Sequence, residues 1–185
     1  AHVAGNYQAL GTGIIHSAQY PSTVADIKVA LQALHQYPCL TADIEGFSLR
    51  FEEAGIGTIA FAWDEHNGVA FACDYKENAC HIGMNGELQI GYGHREANLE
   101  VRKLLLEFFT TYKGELTWHN ATYDLKAIIY TLWMKDLLDT EGLLTGLDCM
   151  TRSFQDTKII AYLATNSTAG NVLGLKSLAH EFAGN

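Results

Sequence analysis

The sequence predicts an α/β domain built on a mixed sheet, and three observations carry that expectation. An apolar strand, Cys39 to Glu45, ends in two carboxylates. Two more strand-like runs follow at 56–63 and 69–73, joined by a short polar turn. Helical patterns then alternate with one further short strand at 116–119. Strands joined by tight turns pair antiparallel, and strands separated by helices pair parallel, so three antiparallel strands come first and parallel ones afterwards. With 185 residues, 48% of them hydrophobic and 18% charged, the chain has enough apolar surface for one domain with a sizeable core.

Taken in order, residues 1–20 are rich in Gly and Ala with weak pattern and read as a lead-in. The domain is expected over 21–185. Pro21-Ser22-Thr23 opens a helix whose Val24, Ile27, Leu31 and Leu34 recur at helical spacing, and Pro38 ends it. The acidic strand comes next. Asp64 to Gly68 reads as a hairpin turn, because Asn67-Gly68 favours positive φ. Residues 74–94 have little pattern and are expected to be a long loop with a small hairpin around Asn85-Gly86. A helix is predicted over 97–112, with Leu99, Leu105, Leu106 and Phe109 on its apolar side. After the short strand, Asn120 starts a helix that buries Leu125, Ile128, Ile129 and Leu132. Residues 136–146 read as a connector. Helices at 156–163 and 175–182 follow, separated by a polar turn over 165–174.

The formal charge of −9 argues against a generic nucleic-acid binder, which is normally basic. It suits an enzyme that reaches phosphate through metal ions, or a domain whose partner supplies positive charge. No apolar run approaches the ~20 residues of a membrane helix. The first residues, Ala1-His2-Val3, carry neither an initiator Met nor a signal-peptide pattern, and read as an excised piece or a processed end. Cys39, Cys73, Cys80 and Cys149 show no metal-binding spacing and are expected to be free thiols, with Cys39 and Cys73 buried, in a reducing compartment.

Two constellations carry chemistry. Side chains alternate along a strand, so Asp43 and Glu45 point to the same face. Two adjacent acids repel each other and are expensive to bury, and a divalent cation makes such a pair tolerable. A solvated strand end is the plainer alternative. In the second, Asn120 is expected to cap the following helix by accepting from its free amides, and Asp124 lies one turn further on the same face. A plain cap and a carboxylate favoured by the helix dipole are the alternatives. Asp156 reads as a helix N-cap rather than a metal ligand.

Together these segments resemble the proofreading 3′→5′ exonuclease domain of family A DNA polymerases, in the DEDD (DnaQ-like, ribonuclease H-like) superfamily. The chain from about 22 to 185 is most similar to the bacteriophage members. Asp43-x-Glu45, with Phe47 and Leu49 after it, resembles the first exonuclease motif, and Asn120-x-x-Tyr123-Asp124 the second. Asp156-Thr157, Asn166 to Gly170 and Leu175-x-x-Leu178-Ala179 resemble the segment that leads to the third. The resemblance implies a ribonuclease H-like sheet and Mg²⁺ or Mn²⁺ held by Asp43, Glu45 and Asp124, as two ions ~3.5–4 Å apart. Asp43 would bridge both ions, Glu45 would hold the nucleophile-side ion, and Asp124 would bind the other through water. Phe47 and Leu49 would stack on or wedge against the terminal bases, while Asn120 and Tyr123 would help position the end nucleotide. The implied partners are a frayed or single-stranded DNA 3′ end and the remaining polymerase chain, with no membrane, in a host cytoplasm.

The family also uses a fourth carboxylate, from a Tyr-x-x-x-Asp or His-x-x-x-x-Asp motif on a later helix. Tyr162-x-x-x-Asn166 has the spacing but a neutral end, and His119-x-x-x-x-Asp124 belongs to the second motif. The domain is therefore expected to be incomplete towards its C-terminus and poorly active alone. The competing expectations are a related exoribonuclease and a nuclease-like domain that only binds nucleic acid or braces a partner.

Overall fold

A computed structural model describes residues 17–76, 81–82, 88–89, 94–165 and 172–182. Strand β1 (Ser17–Gln19) lies at the end of the segment expected to be a lead-in. Helix α1 (Val24–Leu34) starts where Thr23 accepts from the Asp26 amide at 3.1 Å, and buries Ile27, Leu31 and Leu34. Strand β2 (Cys39–Glu45) leads through the short helix α2 (Phe51–Ala54) into β3 (Thr58–Ala62) and β4 (Asn67–Ala72). Small strands β5 (Tyr75–Lys76), β6 (His81–Ile82), β7 (Leu88–Gln89) and β8 (His94–Arg95) follow, and β6 pairs with β7 as the expected small hairpin. Its Asn85-Gly86 tip lies outside the described residues. Then come α3 (Leu99–Thr111), β9 (Glu115–Trp118), α4 (Ala121–Leu132), α5 (Thr140–Met150), β10 (Phe154–Asp156), α6 (Thr157–Ala164) and α7 (Leu175–Phe182).

The main sheet has six strands in the order β1-β4-β3-β2-β9-β10. Strands β2, β3 and β4 are antiparallel neighbours, and β9 and β10 add in parallel on the other side of β2. This is the expected mixed sheet, with the acidic strand at its centre. Leu40, Ala42 and Ile44 of β2 point into one core with Ile59, Phe61, Val69, Phe71, Leu116 and Trp118. The same cluster takes in α1, α3 and α4 through Leu31, Leu105, Phe108 and Ile128. On the opposite face β2 presents Thr41, Asp43 and Glu45. Beside them the register aligns only small residues: Asp43 with Ala60 and Ala70, and Thr41 with Ala62 and Gly68. The result is a trough of about 300 Å³ with Asp43 at its wall.

Several expectations are corrected. The turn between β3 and β4 is closed by Asp64, which accepts from the His66 amide at 2.7 Å and from the Asn67 side chain at 2.9 Å. Asn67-Gly68 belongs to β4, where a Cβ on residue 68 would meet the Phe61 carbonyl at 2.9 Å. Residues expected to be a connector form most of α5, capped by Asp139 at 2.9 Å from the Gly142 amide. Leu99 sits in the first turn of α3 and is 73% exposed, whereas Val101 and Phe108 are buried instead. Leu132 is half-buried, at the last turn of α4. Cys39 is exposed because it shares the strand parity of Thr41 and Asp43, not that of Leu40. Cys73 is buried and free as expected, Cys149 is free, and Cys80 lies outside the described residues.

A buried ion pair locks the far end of β4 to α3. Asp74 is wholly buried and takes Arg102 Nε at 2.8 Å and Nη2 at 2.7 Å. The same carboxylate accepts the Ile56 amide at 3.0 Å, just after Gly55, whose φ is 60°. Positive φ favours glycine, and a Cβ there would come within 2.8 Å of Asp74.

Candidate active site

Strand β2 delivers Asp43 and Glu45 to the open face, where alternation keeps both carboxylates off the core. Two backbone links fix the strand's exit. The Gly57 amide donates to the Glu45 carbonyl at 2.8 Å, and the Phe47 amide donates to the Ala54 carbonyl at 2.9 Å. Gly57 permits this approach, since a Cβ there would lie 2.6 Å from the Glu45 oxygen.

Asp124 arrives from the first turn of α4 and is 5% exposed. Its Oδ1 accepts from the Ile44 amide at 3.4 Å, which sets it against β2 within reach of the Asp43 charge. Burial pushes the Asp124 carboxyl up to about 6, and the Asp43 charge adds to that. Amides of Asp124 and Ile44 oppose the rise, and Asp156 reinforces it weakly. Asp43 is also raised, first by burial and then by Glu45, with His119 pulling the other way. A positive charge beside these two carboxylates would favour their ionised forms.

The donor set is all hard oxygen, which suits Mg²⁺ or Mn²⁺. Among the described residues no three or more His, Cys, Asp or Glu side chains are already drawn together closely enough to hold a metal ion. Bringing all three acids onto one ion therefore requires side-chain movement.

Phe47 and Leu49 flank the acids on the loop between β2 and α2, 39% and 94% exposed. They are apolar surfaces open to a ligand. Tyr123 is turned towards that loop: its hydroxyl donates to the Ser48 carbonyl at 2.6 Å and lies where a Cβ on Gly46 would fall. Burial raises the Tyr123 phenol, with Asp124 and Glu45 adding to it. Tyr123 therefore shapes the loop rather than presenting a free hydroxyl.

Asn120 departs from its expected role. Its φ of 62° and ψ of 49° are left-handed, and its side chain makes no cap hydrogen bond. An N-cap needs extended backbone to aim its side chain at the helix amides. The Asn120 side chain instead accepts from Lys158 Nζ at 3.1 Å. Asp156, expected as a cap of its own helix, does accept the Lys158 amide at 2.9 Å. It also takes the amides of Asn120 at 3.0 Å and Ala121 at 2.9 Å, a role the sequence did not suggest. His119 was likewise missed as a neighbour of Asp43. Its ring bonds Thr157 Oγ1 at 2.9 Å and the Leu173 carbonyl at 3.1 Å. The Trp118-His119-Asn120 corner at a strand end was the available signal. The expected segment 166–170 lies outside the described residues.

No protein-family model matches the chain, and no curated protein does. Solved structures do. The RNase domain of the yeast Pop2 protein matches with a TM-score of 0.58 at 11% identity, over 90% of this chain and 76% of that one. Escherichia coli RNase D, an exoribonuclease involved in structured RNA processing, matches with a TM-score of 0.53 at 15% identity. That match covers 91% of this chain and 34% of RNase D, so the chain spans about a third of that relative. Brucella melitensis NrnC with bound Mg²⁺ matches with a TM-score of 0.51 at 11% identity, over 91% of this chain and 61% of that one. What this chain shares with them is the fold, a mixed six-stranded sheet flanked by helices, consistent with the ribonuclease H-like nuclease fold. None of the three is a polymerase exonuclease domain.

Proposed function

We propose that this chain is a divalent-metal-dependent 3′→5′ exonuclease domain that removes nucleotides from a single-stranded end, with RNA favoured over DNA. One observation carries the reading: Asp124 of α4 lies against the central strand that presents Asp43 and Glu45, close enough for the Asp43 charge to act on it. The preference for RNA is supported by the exoribonuclease RNase D and the RNase domain of Pop2 among the structural neighbours.

Mg²⁺ or Mn²⁺ bound by Asp43, Glu45 and Asp124 would supply an activated water and charge for the leaving oxygen. The protein's own part is positional. Phe47 and Leu49 offer apolar surface to the terminal bases, and base stacking of this kind is indifferent to sequence. Tyr123 holds their loop through Ser48. Asp156, the other carboxylate that Asp124 senses, is committed to backbone amides and is not counted as a metal ligand.

A second reading, proofreading within a DNA polymerase, is favoured by the order of Asp43-x-Glu45, Asn120-x-x-Tyr123-Asp124 and Asp156-Thr157 along the chain. In that case the partner is the remaining polymerase chain. Two measurements test these readings. Calorimetric titration with Mn²⁺ should show binding that is lost when Asp43→Ala and Glu45→Ala are combined; equal binding by the double variant would refute the site. With 3′-labelled single strands and Mn²⁺, slow mononucleotide release should be faster on RNA than on DNA. The reverse order would favour the polymerase setting, and metal binding without any release would favour a domain that only binds nucleic acid.

A further inference from the structure

We propose that Asp156 is a positioning residue, which clamps the start of α4 from the neighbouring strand and thereby holds Asp124 in place against β2. The proposal rests on the nuclease reading above for its functional consequence, but its geometry is independent of it. The first amides of a helix have no partner within the helix. Here the two at the entrance, Asn120 and Ala121, are both taken by one carboxylate that lies 35 or more residues away in sequence. Oδ1 accepts Asn120 and Lys158, and Oδ2 accepts Ala121. Asp156 is 8% exposed, so these bonds are shielded from water.

Register explains how the carboxylate gets there. Strand β10 pairs in parallel with β9, and Asp156 lies opposite Trp118, two residues before Asn120. Thr157 ties the same corner by donating to the Trp118 carbonyl at 3.1 Å. Lys158 holds the Asn120 side chain. Three successive residues of one segment thus grip the corner that turns β9 into α4. The left-handed conformation of Asn120 is strained and persists only where the surroundings impose it.

The lever is short. Asp124 follows Ala121 by three residues, about 4.5 Å along the helix axis. A tilt of about 15° at the entrance would move it by roughly 1 Å, and a misplacement of that size costs up to about 100-fold in rate where groups must meet.

The test compares the chain with Asp156→Ala and Asp156→Asn by amide hydrogen exchange and by Mn²⁺ calorimetry. In Asp156→Ala the Asn120 and Ala121 amides should exchange at least about tenfold faster relative to the Phe108 and Phe109 amides of α3, with Mn²⁺ binding weakened by about tenfold. Asp156→Asn keeps one acceptor oxygen and should fall between, and it carries the test if the Ala variant does not fold. Unchanged exchange at the corner, or exchange that rises equally in α3, would overturn the clamp. A corner that loosens while Mn²⁺ affinity stays the same would overturn the positioning role. If the unaltered chain binds no Mn²⁺ and the corner still loosens, the clamp stands and the nuclease reading falls.

Discussion

Replacing Asp124 by Asn should make the metal-free chain more stable at neutral pH, although it removes a residue of the site. The carboxyl titrates at about 6 in the fold and at 3.8 as a free side chain, with burial as the first cause and Asp43 as the second. At 5% exposure, solvent does little to screen it. The open chain gives up its proton first as pH rises. Stability linked to this group is therefore full below pH 3.8, falls through the interval up to about 6, and is lost above that. The ionised fold is destabilised by about 3 kcal/mol at pH 7. Asp43 is raised as well and acts in the same direction. Urea denaturation of both chains at pH 4 and pH 7 reads the effect, because groups common to both cancel in the difference. Asp124→Asn should gain about 1–3 kcal/mol at pH 7 and little at pH 4. Saturating Mn²⁺ should stabilise the wild type and not the variant. An Asn variant no more stable than wild type at pH 7, or one with the same gain at both pH values, would refute the reasoning.

Other perturbations follow from the same contacts. Arg102→Met leaves the wholly buried Asp74 without its charged partner and should cost about 3–5 kcal/mol in urea denaturation; a loss below about 1 kcal/mol would show that the pair is not an anchor. Tyr123→Phe removes the bond to the Ser48 carbonyl, with about 1 kcal/mol lost. It should also raise KM for a single strand as the Phe47–Leu49 loop loosens, and an unchanged KM would count against that role. Gly146→Ala places a Cβ 2.6 Å from Ile129 Cγ2 and should lower stability by about 1–3 kcal/mol. A rise in Tm would mean that helix propensity outweighs the clash.

The central strands and the paired acids were legible because alternation is local: Leu40, Ala42 and Ile44 face the core and Asp43 and Glu45 do not, whatever lies elsewhere in the chain. Helix α5 was not legible. Gly142 and Gly146 lower helix propensity, and Leu143, Leu144 and Leu147 are partly exposed instead of marking a buried stripe. Its stability comes from contacts that sequence does not display, such as Gly146 lying flat against Ile129. The turn after β3 misled for a related reason. Asn67-Gly68 has the letters of a tight turn, but Gly68 is required by the close approach of the Phe61 carbonyl, and Asp64 supplies the turn chemistry. Asn120 looked like a cap by residue type, and the true cap comes from Asp156, a contact between segments 36 residues apart.

These misreadings bear on how the acids are kept together. A chain with a formal charge of −9 gathers three carboxylates near one strand, and their repulsion favours spreading apart. The restraint comes from hydrogen bonds to backbone amides and carbonyls on four separate segments. Gly57 holds Glu45, Ala54 holds Phe47, and the Ile44 amide and Asp156 hold the two ends of the Asp124 turn. Gly57 acts on Glu45, whereas the Ile44 amide and Asp156 act on Asp124 and the start of its helix. Substitutions at Gly57 or Asp156 should therefore act on metal affinity through geometry, in variants whose carboxylates are all still present.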